Sequence, residues 1–141
     1  MSAETQDSII HGLVDVSQRD VIVLLEAGYL YMELGQNKDA EEIFQGVCAL
    51  VPHSEVPQMA LGHLYFSMGR FNGALKAHKK AVELNPQSAA AYASVGETLL
   101  FVRKFEEALA QLDKAIELEP DGSAGEFAKA LKEAQSLGVF G

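Results

Sequence analysis

The chain has 141 residues, 20 acidic and 11 basic side chains, and a formal charge of −9; this length supports a buried core without a metal or disulfide staple. Its 48% apolar and 22% charged residues place it with packed globular proteins and outside the disordered class. The acidic balance leaves no basic stripe of the kind that binds nucleic acid or anionic membranes through counterion release, so neither is expected as a partner.

The opening residues carry Glu4 and Asp7 where an export signal would carry Lys or Arg, and the apolar stretch from Ile9 to Val16 is interrupted by His11, Gly12 and Asp15. No run approaches the roughly 20 apolar residues that span a bilayer, so no membrane insertion is expected. The single cysteine, Cys48, excludes an internal disulfide, and the expected location is the cytoplasm. Ile9, Ile10, Leu13, Val14 and Val16 predict an N-terminal helical segment within residues 1–20, with Asp20 as the cap of the next helix. This segment reads as a cap on the fold or, alternatively, as a homodimer contact or a strand of partner recognition.

From residue 21 the chain repeats itself. Gly28, Gly62 and Gly96 are evenly spaced, and the same interval separates Ala40, Ala74 and Ala108, and again Pro52, Pro86 and Pro120. The blocks 21–54, 55–88 and 89–122 also align Phe44, His78 and Leu112. Each block has a helix-period stretch, a short polar turn such as Leu34-Gly35-Gln36-Asn37, and a second amphipathic stretch, which predicts a helical hairpin. A mid-helix glycine costs about 1 kcal/mol against alanine. Its recurrence therefore predicts close helix approach, with Gly28 meeting the helix at Ala40. Proline cannot continue a helix and makes the preceding residue extended, so each block should end at its proline. After Pro120, Ser123-Ala124-Gly125-Glu126 has capping-box spacing. The helix that follows, within 123–138, is expected to bury Phe127, Ala130, Leu131, Ala134 and Leu137, with Gly138 closing it.

Over 21–122 the sequence resembles the tetratricopeptide repeat family, with small residues, an alanine, aromatics and a proline at the characteristic offsets of a repeat of about 34 residues. His78 stands where an aromatic is usual, and Arg103 where Gly35 and Gly69 make the earlier turns. The resemblance implies an all-α fold: a right-handed α-solenoid of three hairpins, with an N-terminal helix and a C-terminal capping helix, in a single domain. It also implies a concave groove lined by the first helix of each repeat. On this chain the matching positions yield Ile22, Leu25, Tyr29 and Met32 from the first repeat. The second yields Val56, Met59, His63 and Phe66, and the third Ala93, Glu97, Leu100 and Phe101.

Family members that clamp a chaperone-tail carboxylate do so with Lys, Arg and Asn. The matching positions here hold Leu25, Tyr29, Ala60, Ala90 and Ser94, which supply no donor fork. An apolar groove with methionines and aromatics suits an extended hydrophobic segment instead. The stretch Ala40-Glu41-Glu42-Ile43-Phe44-Gln45-Gly46-Val47-Cys48-Ala49-Leu50, with the overall layout, also resembles the class II type III secretion chaperones. That resemblance implies a groove holding a segment of a hydrophobic translocator in the cytoplasm before export.

His11, His53, His63, His78 and Cys48 show no metal-ligand spacing, so no metal or other cofactor is expected. Cys48, amid Phe44, Val47 and Val51, reads as a buried inert thiol. His78 reads as a packed substitute for an aromatic ring. No catalytic constellation is present, and an enzyme is not expected. The expected function is a non-catalytic protein-binding chaperone or adaptor that holds an extended hydrophobic segment of another protein. The alternative is an assembly scaffold or homo-oligomerising structural protein.

Overall fold

The computed structural model describes residues 17–141. The described residues form helices and no strand: α1 (Gln18–Glu33), α2 (Asn37–Leu50), α3 (Val56–Ser67), α4 (Phe71–Leu84), α5 (Ala89–Phe101), α6 (Phe105–Leu118) and α7 (Ser123–Ser136). They fall into two compact units. The first ends at His53 and holds the hairpin α1–α2; the second begins at Ser54 and holds α3 to α7. The expected N-terminal helix lies mainly outside the described residues.

Each hairpin turns by the same device. At the end of α1, Gly35 (φ 77°) donates to Met32 O and Gln36 N donates to Tyr31 O. At the end of α3, Gly69 (φ 75°) and Arg70 repeat the pattern onto Phe66 O and Tyr65 O. These paired bonds satisfy carbonyls that a helix end leaves open. The third turn is built identically with Arg103 at φ 64°, donating to Leu100 O while Lys104 N donates to Leu99 O. A Cβ in that left-handed region costs roughly 1–2 kcal/mol. The hydrogen-bond pattern thus survives loss of the glycine.

The recurrent glycines mark the close approach, but their partner differs from the expected alanine. A Cβ on Gly28 would lie 2.3 Å from the Phe44 ring, and one on Gly62 would lie 2.3 Å from the His78 ring. On Gly96 it would lie 2.5 Å from Leu112, with Ala108 O at 3.3 Å. In every hairpin the side chain at the same offset on the second helix fills the space the glycine leaves. Ala40, Ala74 and Ala108 are fully buried beside these contacts. The second helices end at Leu50, Leu84 and Leu118, each two residues before its proline. The intervening Val51, Asn85 and Glu119 have φ between −129° and −145° with ψ between 69° and 87°, away from helical values as a following proline requires.

Three expectations need correction. Ser17, not Asp20, caps α1, its hydroxyl accepting from Asp20 N at 3.1 Å. The first position outside α7 is Gly122, so Ser123 is already helical and makes no capping bond; Ala124 N instead donates to Glu119 Oε1 at 3.4 Å. Of the face expected for α7, Leu131 is buried, together with Ala124 and Ala128, whereas Ala130 is exposed, Ala134 is half-buried, and Phe127 and Leu137 point outward at 42% and 75% exposure. The rotation follows from Gly125, where a Cβ would lie 1.7 Å from Glu119 O. That backbone contact turns the small residues of α7 inward. Gly138 does close the helix, with φ 80° and the same paired bonds.

In the second unit α7 packs against α5 and α6, and one core joins Ala93, Leu99, Leu100, Leu112, Ala128 and Leu131. His78 takes the place of an aromatic ring between α3 and α4, 1% exposed, with its Nδ1 lacking a partner. Burial, and then the neighbouring His63, push its pKa down to about 3.

The glycine contacts predict that Gly62→Ala destabilises the fold by about 1–3 kcal/mol through overpacking. Gly46, mid-helix in α2 with open space around its Cβ position, should instead gain up to about 1 kcal/mol as Gly46→Ala. Urea midpoints of both variants check this opposition. His78 has a lowered folded pKa, so between pH 6.5 and about 3 the unfolded chain binds a proton that the native chain refuses. Stability should therefore fall as pH drops through that window, with a slope of up to about 1.4 kcal/mol per pH unit. His78→Phe, matching Phe44 of the first hairpin, removes this contribution. Its stability advantage in denaturant titrations should widen below pH 6.5, and parallel pH profiles would contradict the assignment.

Candidate functional site

In the first unit the candidate residues lie along α1. Ile22 is half exposed, at 49%, while Leu25 is buried at 8% and belongs to the core instead of the surface. Tyr29 and Met32 are half-buried. The Tyr29 ring stands edge-on to Phe44 with centroids 5.1 Å apart, so the ring that fills the Gly28 gap also positions Tyr29. Burial raises the Tyr29 hydroxyl pKa, which keeps the phenol neutral.

In the second unit Met59, His63 and Phe66 stand at i, i+4 and i+7 along α3, all half-buried, with Val56 48% exposed at the helix start. The i, i+4, i+7 spacing places the three on one stripe. The His63 ring lies 5.4 Å from His78, and burial lowers its pKa, leaving it uncharged at neutral pH. Phe66 makes edge contacts with Phe71 at 5.2 Å and with Phe101 at 4.9 Å. Phe101 is 46% exposed, and Phe140 packs against it at 5.5 Å. The stripe on α3 therefore continues onto the end of α5 as an aromatic cluster.

The third-repeat candidates divide. Ala93 (2% exposed) and Leu100 (0%) are buried in the cluster that includes Ala128 and Leu131 of α7. They are corrected from surface to core, because the capping helix takes the face they present. Glu97 remains half-buried, and burial raises its carboxyl pKa. Among the former clamp positions Leu25, Ala60 and Ser94 are buried and Ala90 is exposed, so no charged donor set forms there. The parts of the aromatic cluster that the residue pattern did not flag are Phe71 and Phe140. Phe71 recurs as Phe105 at the repeat period, a usable signal, whereas Phe140 lies outside the repeats.

In each unit the candidate side chains are mainly apolar, and burial holds Tyr29, His63 and Glu97 toward their uncharged forms. Cys48 is half-buried, and burial raises its thiol pKa, which reduces the reactive thiolate. Among the described residues no three His, Cys, Asp or Glu side chains gather as a metal site, and no helix is long and apolar enough to cross a membrane.

The tetratricopeptide repeat family model matches residues 22–52 and 89–121, and a further TPR repeat model matches residues 62–100. No curated protein sequence matches the chain. Among solved structures, the first TPR of Spaghetti (RPAP3) bound to HSP90 peptide SRMEEVD is 25% identical, with a TM-score of 0.71, covering 86% of this chain and 97% of that one. The Yersinia enterocolitica type III secretion translocator chaperone SycD is 20% identical, with a TM-score of 0.73, covering 97% and 96% of the respective chains. PcrH in complex with the chaperone binding region of PopB is 22% identical, with a TM-score of 0.73, covering 86% and 98%. With glycine, alanine and proline recurring at one shared period, three hairpins closed by the same contact, and these matches, the chain belongs to the tetratricopeptide repeat family.

Proposed function

We propose that this protein is a cytoplasmic, non-catalytic chaperone or adaptor that holds an extended hydrophobic segment of a client protein. The surface that receives it is Val56, Met59, His63 and Phe66 of α3 with Glu97 and Phe101 of α5; Ile22, Tyr29 and Met32 of α1 form a second apolar face. The observation that carries the reading is Phe101, an aromatic side chain nearly half exposed although it touches Phe66, Phe71 and Phe140 at the centre of an aromatic cluster. Apolar surface of this kind, whose Phe66 lies on the same stripe as Met59, favours hydrophobic anchors, and methionine adapts to their shape.

Peptide binding by this fold is supported by the neighbours bound to an HSP90 peptide and to the chaperone binding region of PopB. The two ligands call for different surfaces. SRMEEVD is acidic and suits charge-assisted donors, and the clamp positions here carry Leu25, Tyr29, Ala60, Ala90 and Ser94. A translocator-type hydrophobic segment suits the surface better. The narrower form of the proposal is therefore a secretion chaperone for such a client, with the SycD and PcrH likenesses as its support.

Fluorescence anisotropy with two labelled probes, the chaperone binding region of PopB and the peptide SRMEEVD, tests both forms. The first probe should bind and the second should not. Met59→Glu and Phe101→Glu should each weaken the first by about tenfold or more, equivalent to about 1.4 kcal/mol, with helicity by circular dichroism unchanged. Binding of SRMEEVD alone would replace the hydrophobic-segment reading. Unchanged PopB affinity in both variants would remove the surface, and a dimer that buries Phe101 would favour the scaffold alternative.

A further inference from the structure

The aromatic cluster at the end of α5 already holds a ring from the chain's own tail. Phe101 meets Phe66 at 4.9 Å and Phe71 at 5.5 Å, both carried on helices of the second hairpin, and Phe140 at 5.5 Å, which lies beyond the last helix. The contacts with Phe66 and Phe140 are both edge-on, with interplanar angles of 81° and 71°, so that the positive edge of one ring meets the negative face of the other. The tail's ring therefore packs on Phe101 as a helix-borne ring does, from a segment that no helix holds.

That segment is short and lightly tied. Gly138 at φ 80° closes α7 and Gly141 has φ 112°, so a left-handed residue stands on each side of Val139 and Phe140. Leu137 and Val139 are exposed. Beyond the bonds that close α7, the turn is held by Gly141 N donating to Gly138 O at 3.1 Å. Phe140 is half-buried, packed on Phe101 and on the core shared by α5, α6 and α7.

The turn that the tail reaches differs from its two equivalents. Where Gly35 and Gly69 offer no side chain, Arg103 holds the same left-handed backbone at φ 64°. Its guanidinium stands 5.9 Å from the centroid of the Phe105 ring and lies against Gly141, whose Cβ position is 2.7 Å from both terminal nitrogens. An arginine kept at a backbone position that favours glycine gives this turn a side chain for the tail to rest on.

We propose that residues 137–141 are an internal competitor for the client surface: Phe140 holds the place on Phe101 that an aromatic side chain of the client takes, and the client displaces it. This rests on the client reading above. Phe140 is the ring of the cluster that can leave without unwinding a helix. A tethered segment competes at an effective concentration of about 1 mM. It shields the cluster when no client is present and yields to one that brings further anchors to Met59. Phe101 stays nearly half exposed beside it, which leaves the client an edge to engage before the tail departs.

Anisotropy with the labelled PopB segment measures the competition in the full chain, in Phe140→Ser and in Arg103→Gly. Removing the ring should tighten client binding by about tenfold, and removing the arginine by about threefold; a merely structural tail would leave affinity unchanged or lower it. Arg103→Gly guards against misfolding, since glycine already makes this turn at Gly35 and Gly69, and circular dichroism verifies helicity in both variants. A peptide copying residues 137–141, at about 1 mM, should restore competition in the Phe140→Ser chain, and the same peptide carrying Phe140→Ser should not. An uncharged naphthylamine dye reads the cluster without a client, and its fluorescence should rise in both variants. Rising fluorescence with no PopB binding by any of the chains would uphold the tail's occupancy and remove the client reading alone. Unchanged dye fluorescence in both variants, PopB affinity that does not rise in either, or equal competition by the two peptides would overturn the proposal.

Discussion

The contact on which each hairpin depends is a glycine facing a bulky side chain. Gly28 receives Phe44, Gly62 receives His78 and Gly96 receives Leu112. Glycine in a helix costs about 1 kcal/mol, and complete burial of a ring such as Phe44, which is 0% exposed, contributes about 1.5–3 kcal/mol. The balance favours the close approach. It also fixes the rotation of α1, α3 and α5, because the glycine must face the second helix. The residue that follows each glycine, Tyr29, His63 and Glu97, is then turned by one residue step, about 100°, from that contact within its own hairpin.

Those three share one position in the repeat, and burial moves all three toward their uncharged forms: the Tyr29 and Glu97 pKa values are raised and that of His63 is lowered. One placement has the same electrostatic consequence for three different chemistries, because partial burial disfavours whichever form carries charge. The acids responsible for most of the −9 charge lie elsewhere, as at Glu41-Glu42 and Glu106-Glu107 near the starts of α2 and α6. The exposed pairs Lys80–Glu83 and Lys114–Glu117 contribute little to stability.

His78 shows how far the repeat tolerates substitution. It fills the space that Phe44 fills in the first hairpin, yet its Nδ1 has no partner. Burying an unsatisfied polar atom has a free-energy penalty that a hydrocarbon ring avoids. Arg103 is the backbone counterpart, holding a left-handed turn without glycine. Both departures were visible as breaks in the repeat, and in both the packing or hydrogen bonding around them was sufficient to preserve the geometry.

The repeat period, the helix-ending prolines and the helical hairpins are determined by the sequence itself, because they rest on local physics: helical periodicity, proline's lost donor and glycine's missing Cβ. His78 as an aromatic substitute was legible for the same reason, since its repeat position names its neighbours. Tertiary structure decided what depends on a second element. Ala93 and Leu100 match groove positions in the repeat but are buried with Ala128 and Leu131 in one core, a fact set by how α7 seats. α7 itself turns Phe127 outward because Gly125 must pass close to the Glu119 carbonyl, and Phe140 reaches Phe101 from beyond the last helix. Spacing along one helix names its faces; only the neighbour that arrives decides which face is buried.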